Sequence, residues 1–193
     1  MLTMKDIIVE GNELLKKRCE PVEIPMSKED MEIMDKMTEY IFNSIDEEVA
    51  KEYGLRPAVG IAAPQIGITK RMLVIYAHDE IGNEHFYPMV NPKLVSYSDE
   101  QTYLDCGEGC LSVPEDKKGY VHRSKRVTVD TYLYYQGKIK KVTLRLRGYI
   151  AIVFQHEFDH LNGILYVDRI NKENPFYVPN NSTPVVFKGS DEE

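Results

Sequence analysis

Apolar residues recur every three or four positions between residues 26 and 54, which is the period of one face of an α-helix. Ser27 stands where a helix N-cap is expected, and Gly54 stands where a helix C-terminus is expected. The pattern therefore predicts one amphipathic helix over this segment, with a methionine-rich stripe that packs into the core. The residues of that stripe are Met31, Met34, Met37, Ile41 and Ile45.

Shorter apolar runs and alternating stretches in the middle of the chain predict β-strands. Apolar runs occur at "RMLVIYA" and "FYPMVNPKLVSY", and polar residues alternate with apolar ones in "RVTVDTYLYY" and "KIKKVTLRLRG". Gln136 and Gly137 separate the last two stretches, so we expect these to form a β-hairpin with a two-residue turn. The predicted strands are therefore mostly antiparallel.

A second helix is predicted from about Tyr149 to Leu161, and Asn162 and Gly163 follow it as a stop signal. Its first half, "YIAIVF", is rich in β-branched residues, but no turn residue separates it from the histidines that follow. The predicted helices are separated from the mostly antiparallel strands along the chain, which indicates an α+β fold. We expect mostly antiparallel sheets to pack around this central helix, with the other long helix near the N-terminus.

The length of 193 residues suits a single domain over 1–193. Residues 172–193 are rich in proline, asparagine and charge, so they are expected to form an irregular or extended tail. The net charge of −7 argues against a nucleic-acid-binding surface. One basic run is expected to be the solvated face of a strand pair, and it comprises Lys138, Lys140, Lys141, Arg145 and Arg147.

The sequence contains neither a signal-peptide pattern nor eighteen consecutive apolar residues. Its three cysteines, Cys19, Cys106 and Cys110, are an odd number without a disulfide framework, which suits a reducing compartment. We therefore expect a cytoplasmic protein that does not enter a membrane.

The segment "QHEFDHL" places His156 and His160 four residues apart, with Glu157 directly after the first histidine. On a helix this spacing puts both imidazoles on one face, where they can bind one metal ion while the acid reaches a metal-bound water. Two histidines can also fall four apart by chance. Glu157 in an otherwise apolar helix favours the metal, because a cation would provide a partner for all three side chains.

A catalytic metal usually needs a third protein ligand, and two zinc-peptidase patterns indicate where it could lie. The pattern HExxHxxGxxH would place its third histidine at Tyr166, and no histidine follows His160. A second group of zinc peptidases takes its third metal ligand from a glutamate on a later helix. The candidates Glu173, Glu192 and Glu193 do not lie in a helical pattern.

A thiol earlier in the chain is the other candidate for the third metal ligand. Cys110 follows Gly109, where the backbone can turn sharply and bring a thiolate close to a metal. Burial as a small hydrophobe is the alternative for Cys110, and it is also the expectation for Cys106.

Three segments together resemble the bacterial peptide deformylases, which remove the N-formyl group from nascent polypeptides. They are "AVGIAAPQ" at 58–65, "EGCLS" at 108–112 and "HEFDH" at 156–160, in the family's order and spacing over nearly the whole chain. The long segment before the first motif and the nonhelical tail resemble the longer type II subclass of Gram-positive bacteria. Ala58 departs from the glycine that usually begins the first motif, and it could alter how closely a substrate backbone approaches.

The resemblance implies one divalent metal with water at its open position. Glu157 would take the proton from that water and pass it to the leaving amine. The side-chain amide of Gln65 and the backbone N–H of Leu111 would stabilise the oxyanion. The implied ion is Fe²⁺, with Zn²⁺, Ni²⁺ or Co²⁺ as substitutes. The implied metal ligands are Cys110, His156 and His160.

The resemblance also implies a substrate site for N-formylmethionyl nascent peptides, together with transient ribosome contact. Glu108 and Arg123 would form a supporting ion pair. The implied backbone contacts are Val59, Gly60, Ile61 and Gly109. The implied walls of the methionine pocket are Tyr149, Ile152 and Val153. An HExxH zinc endopeptidase and a noncatalytic domain with a structural metal remain as alternatives.

Overall fold

The protein is described here by a computed structural model that covers residues 1–115 and 117–188. The terminal Glu192 and Glu193, considered above as ligand candidates, lie outside the described residues. The helices are α1 (Lys28–Ile45), α2 (Glu47–Tyr53) and α3 (Gly148–His160). The strands are β1 (Gly60–Ala62), β2 (Met72–His78), β3 (Glu84–Tyr97), β4 (Gln101–Tyr103), β5 (Arg123–Ser124), β6 (Arg126–Tyr135), β7 (Lys138–Arg147) and β8 (Ser182–Pro184). The predicted α+β class is confirmed.

Five strands form one antiparallel sheet in the order β1-β2-β3-β6-β7, which leaves β1 and β7 at its edges. The β6–β7 hairpin turns at Gln136 and Gly137, as predicted. Both turn residues have positive φ, 48° and 78°, as a two-residue turn that matches the twist of the strands requires. A smaller sheet has the order β5-β4-β8, and its β4–β8 pair is parallel.

The large sheet has a core on each face because its side chains alternate. In β2, Met72 and Val74 belong to the core under α1, whereas Leu73 and Ile75 belong to the core around α3. α3 also contacts β4 and β5 of the small sheet. The helix therefore lies between the two sheets and is covered on nearly every side.

The prediction of one helix up to Gly54 is wrong in one respect, because the helix breaks at Asp46. Ser27 caps α1 as predicted, with its Oγ accepting from the N–H of Asp30. Asp46 has extended backbone, and its carboxylate accepts from the N–H groups of Glu48 and Val49, so it ends α1 and caps α2. Gly54 ends α2 in the left-handed conformation, with φ 61°.

The predicted end of α3 lies within one residue of its observed end, and the observed start at Gly148 is also one residue from the expectation. Gly163 has a φ of 74°, and a Cβ there would lie 2.2 Å from the backbone oxygen of Lys16. Glycine is therefore required after this helix for both conformation and space.

The chain after α3 forms a 3-10 turn at Tyr166–Arg169 and then the segment that ends in β8. Within the described part of residues 172–188, β8 is the only helix or strand. None of the helices that the structure describes is long and apolar enough to cross a bilayer.

Candidate metal centre and active site

α3 presents His156, Glu157 and His160 to the interior between the two sheets. All three side chains are buried, and the imidazole centroids are 5.2 Å apart, as the spacing of one helical turn predicts. Burial of three ionisable groups on one helix is costly unless they have partners or bind a cation. This part of α3 is therefore built for polar chemistry rather than for packing alone.

Cys110 reaches this site from the loop between β4 and β5. The turn into the loop uses Gly107, whose φ is 79°, rather than Gly109. The N–H of Val113 donates to the carbonyl of Cys110, and the Sγ of Cys110 lies 3.3 Å from Nε2 of His160. The ligand atoms of Cys110, His156 and His160 all lie within 4.8 Å of one another. The structure thus brings together the three residues that the resemblance implied as ligands.

The donor set fits a divalent transition metal. The Nδ1 of His156 is 2.7 Å from a carboxylate oxygen of Glu108, an arrangement that orients the ring and leaves Nε2 for a cation. One thiolate with two imidazoles is a typical ligand set of a catalytic site with an open position. Glu157 Oε2 and His160 Nδ1 are buried and have no hydrogen-bond partner among the described residues.

A buried charge network supports the histidines. Arg123 donates to Glu108 through Nε at 2.6 Å and through a terminal nitrogen at 2.9 Å, which is the ion pair implied by the resemblance. Its other terminal nitrogen donates to Asp159 at 2.9 Å, and Asp159 also accepts from Arg169 at 2.5 Å. Burial alone would raise the pKa of Glu108, but the charge of Arg123 and the hydrogen bonds from His156 and Arg123 together outweigh burial and lower this pKa to about 2.

Sequence analysis did not assign a role to Asp159 or Arg169. Asp159 stands in the motif segment "HEFDH", so an acid next to a histidine ligand was the available signal. Arg169 offered none, since it lies in a turn beyond the motif.

Glu157 lies against the backbone of Gly60. A Cβ on Gly60 would be 2.5 Å from Glu157 Oε1, so the absence of a side chain there makes room for the carboxylate. Burial raises the pKa of Glu157 to about 7, although His156 and Arg123 oppose the shift. A carboxylate with a pKa near neutrality is suited to both accepting and donating a proton.

Gln65 lies in the 3-10 turn that follows β1. Its Oε1 accepts from the N–H of Ala62, and its Nε2 lies 3.2 Å from Ser112 Oγ and 3.5 Å from Cys110 Sγ. The side-chain NH₂ is therefore directed toward the cluster. Leu111, which follows Cys110, is buried and also lines the site.

A cavity of about 390 Å³ opens above these groups. It is lined by every catalytic, metal-binding and substrate-binding residue implied by the resemblance except Ile61 and His160. His160 lies deeper, beside Cys110. The implied residues along the cavity are Val59, Gly60, Gln65, Gly109, Cys110, Leu111, Tyr149, Ile152, Val153, His156 and Glu157.

The backbone of Ile61 is not directed to the cavity. The N–H of Tyr76 donates to the carbonyl of Val59, so the alternation of an antiparallel ladder makes Ile61 exchange its hydrogen bonds with Val74. The same alternation directs the N–H and C=O of Gly60 to the open edge of β1. The side chain of Ile61 is fully buried in the core under α1.

Four lining residues were missed by the sequence analysis. They come from α1, from the segment before β1 and from the loop after β4, where no motif pointed to them. They are Ile45, Arg56, Pro57 and Leu104.

Comparison with known proteins gives consistent matches. The family described as "Polypeptide deformylase" matches residues 4–176. The chain is 52% identical to "Peptide deformylase 2" of Geobacillus stearothermophilus over 185 residues, which cover 96% of the chain and 99% of the relative. It is 49% identical to "Peptide deformylase 2" of Bacillus anthracis over the same shares of each chain.

Solved structures are similar at lower identity. A "Met-ala-ser bound" class I type b peptide deformylase of Acinetobacter baumannii has a TM-score of 0.67 and 31% identity, over 85% of this chain and 96% of that one. A probable peptide deformylase of synechococcus phage S-SSM7 has a TM-score of 0.66 and 37% identity, over 84% and 97%.

Proposed function

The chain belongs to the polypeptide deformylase family, in its type II-like group, and we propose that Cys110, His156 and His160 hold its catalytic metal while Glu157 transfers the proton. The protein is a metal-dependent hydrolase that removes the N-formyl group of nascent polypeptides. The single observation that carries the assignment of residues is the approach of one thiol and two imidazoles to within 4.8 Å. Family membership does not favour the endopeptidase or the structural metal domain.

We propose Fe²⁺ as the working ion, with Zn²⁺, Ni²⁺ or Co²⁺ able to replace it. A cysteine and two histidines accept all four ions, so the proposal of iron rests on the family resemblance. When bound, the ion supplies Lewis acidity and lowers the pKa of water.

Glu157 acts as the general base and then as the general acid. Its buried carboxylate takes a proton from the water that attacks the formyl carbon, and it delivers the proton to the nitrogen of the departing amine. The products are formate and a polypeptide with a free N-terminal amine. The unpartnered Oε2 and the pKa near 7 support this role.

Two donors stabilise the negative charge that develops on the formyl oxygen. We assign them as Nε2 of Gln65, which lies 3.5 Å from Cys110 Sγ, and the backbone N–H of Leu111, the residue after Cys110. The bond from the N–H of Ala62 to Oε1 supports the assignment, because it fixes the amide with its NH₂ toward the site.

The substrate backbone pairs with the open edge of β1. Gly60 offers both its N–H and its C=O there, and Val59 and Gly109 border the same cavity. The methionine side chain enters the apolar end of the cavity, whose walls are Tyr149, Ile152 and Val153.

We further propose that the chain is one catalytic domain, that it acts in the cytoplasm and that it contacts the ribosome transiently, where its substrates emerge.

The test is formate release from formyl-Met-Ala-Ser by protein purified without oxygen, with metal content measured in parallel. We expect one ion per chain and rapid formate release. Cys110→Ser should lose both metal and activity, because it removes a soft ligand. Unchanged metal content and activity in this variant, or internal cleavage of longer peptides without formate, would contradict the proposal.

A further inference from the structure

Six apolar side chains form a continuous strip that includes the C-terminal end of α1 and the neighbouring strands of the large sheet. We call them the apolar strip, and they are Ile45, Val59, Phe42, Tyr76, Phe86 and Tyr135. Four of them are well exposed, Phe42 by 40%, Ile45 by 45%, Val59 by 40% and Tyr135 by 44%. A contiguous exposed patch of this kind is typical of a binding surface, whereas single exposed apolar residues are ordinary.

The strip begins at the catalytic cavity and leads away from it. Ile45 and Val59 line the cavity. Val59 is hydrogen-bonded to Tyr76 across the β1–β2 pair, which places their side chains on the same face. From Tyr76 the rings continue, with centroids 5.0 Å apart to Phe42, 5.4 Å from Phe42 to Phe86, and 5.8 Å from Phe86 to Tyr135.

The direction of a bound substrate leads to the same strip. The formyl group must lie at the cluster of Cys110 and the histidines, which Gln65 approaches from beyond the C-terminal end of β1. A peptide extended along the edge of β1 therefore runs from Gln65 back past Gly60 toward Val59. Its following residues leave the cavity where the apolar strip starts.

We propose that the apolar strip binds the part of the nascent polypeptide that lies beyond its first three residues and that it favours apolar side chains there. The inference rests on the proposed function, since it needs the peptide to pair with β1. Acidic groups border the strip: the hydroxyl of Tyr76 donates to Glu84 at 2.7 Å, and Asp46 and Glu47 follow Ile45 directly. An acidic extension should therefore bind less well than a neutral or basic one.

The test compares kcat/KM for formate release from peptides that share formyl-Met-Ala-Ser. One is the tripeptide itself, one continues with Leu-Phe-Leu-Lys, one with Ser-Gly-Ser-Lys and one with Leu-Phe-Leu-Glu. We expect the apolar basic extension to exceed the polar one by about fivefold, mainly through a lower KM, because added apolar burial strengthens binding. The acidic extension should fall between them.

Two variants locate the effect. Phe42→Ser should keep the activity on the tripeptide and lose most of the advantage of the apolar extension, and Tyr135→Ser should lose a smaller part of it. The control is Tyr97→Ser, which removes a ring that is 69% exposed at the other end of β3 from Phe86.

The outcomes separate the two proposals. No hydrolysis of the tripeptide by the unchanged protein would overturn the proposed function and this inference with it. Normal hydrolysis of the tripeptide with equal kcat/KM for the apolar and polar extensions would overturn the apolar strip alone. An advantage that survives both strip variants, or that Tyr97→Ser reduces as much as they do, would also overturn it.

Discussion

α1 and α3 both pack against the large sheet, but they bury very different sets of residues. α1 buries seven of its eighteen residues, five of them apolar or aromatic, and exposes charged side chains on its other face. α3 buries ten of its thirteen residues, and four of these are His156, Glu157, Asp159 and His160. A helix that obeys the amphipathic pattern is explained by packing, whereas buried ionisable groups require partners or an ion. The exceptions in α3 therefore mark the catalytic site.

The largest expected effect concerns the buried ionisable side chains of α3. Glu157→Gln keeps the size of the side chain but removes the proton acceptor, so kcat for formate release should fall about 10³- to 10⁴-fold. Bound metal and the thermal midpoint should stay close to those of the unchanged protein, as metal analysis and thermal unfolding would show. Activity within tenfold of normal would mean that another group moves the proton.

The next effect tests the charge network behind the helix. Arg123→Met leaves Glu108 and Asp159 without their shared buried cation, and loss of one partner from such a network costs about 3–5 kcal/mol. Chemical denaturation should show this loss in the free energy of unfolding. Lys16→Met is the matched control, because it removes an exposed partner of Glu13 and should change stability by less than about 0.5 kcal/mol. Equal losses in the two variants would contradict the importance of burial.

Loss of a buried side chain on the α1 side should reduce the free energy of unfolding by a comparable but smaller amount. Met37 is fully buried between α1 and the sheet, so Met37→Ala should reduce the free energy of unfolding by about 3 kcal/mol through lost contacts and a residual cavity. Because Met37 lies away from the cavity lining, kcat/KM of the folded variant should stay within about twofold. A large drop in kcat/KM of the fully folded variant would show that Met37 also shapes the site.

The two helices also differ in how far their sequence predicted them. Ser27, most of the stripe and the end of α3 followed from local rules, and so did the hairpin at Gln136 and Gly137. Ile45 was predicted to pack into the core with the stripe, but it lies at the end of α1 beside the cavity and is 45% exposed. The break at Asp46 was missed because Ile45 continues the helical spacing, while the carboxylate of Asp46 stabilises a new helix start more than continuation.

Contacts between distant segments were harder to predict than local elements. The bond from Arg169 to Asp159 and the cavity wall at Leu104 depend on how loops fold back on α3. Ile61 was assigned to the substrate edge by its position in the motif, but strand alternation directs its backbone to β2 instead. The motifs indicated which residues carry chemistry, whereas the sheet determined which of their atoms face the cavity.

The smallest effect compares two helix caps. Ser27→Ala removes the acceptor for the N–H of Asp30 and should cost about 1 kcal/mol of global stability, because α1 is part of the main core. Asp46→Ala removes the cap of α2, but α2 contributes no buried residue, so it should fray locally with little change in the free energy of unfolding. Denaturation with amide exchange at Glu48 and Val49 distinguishes the two cases. Equal losses in the free energy of unfolding for the two variants would show that α2 unfolds together with the core. The stability of the large sheet would then depend on both helices.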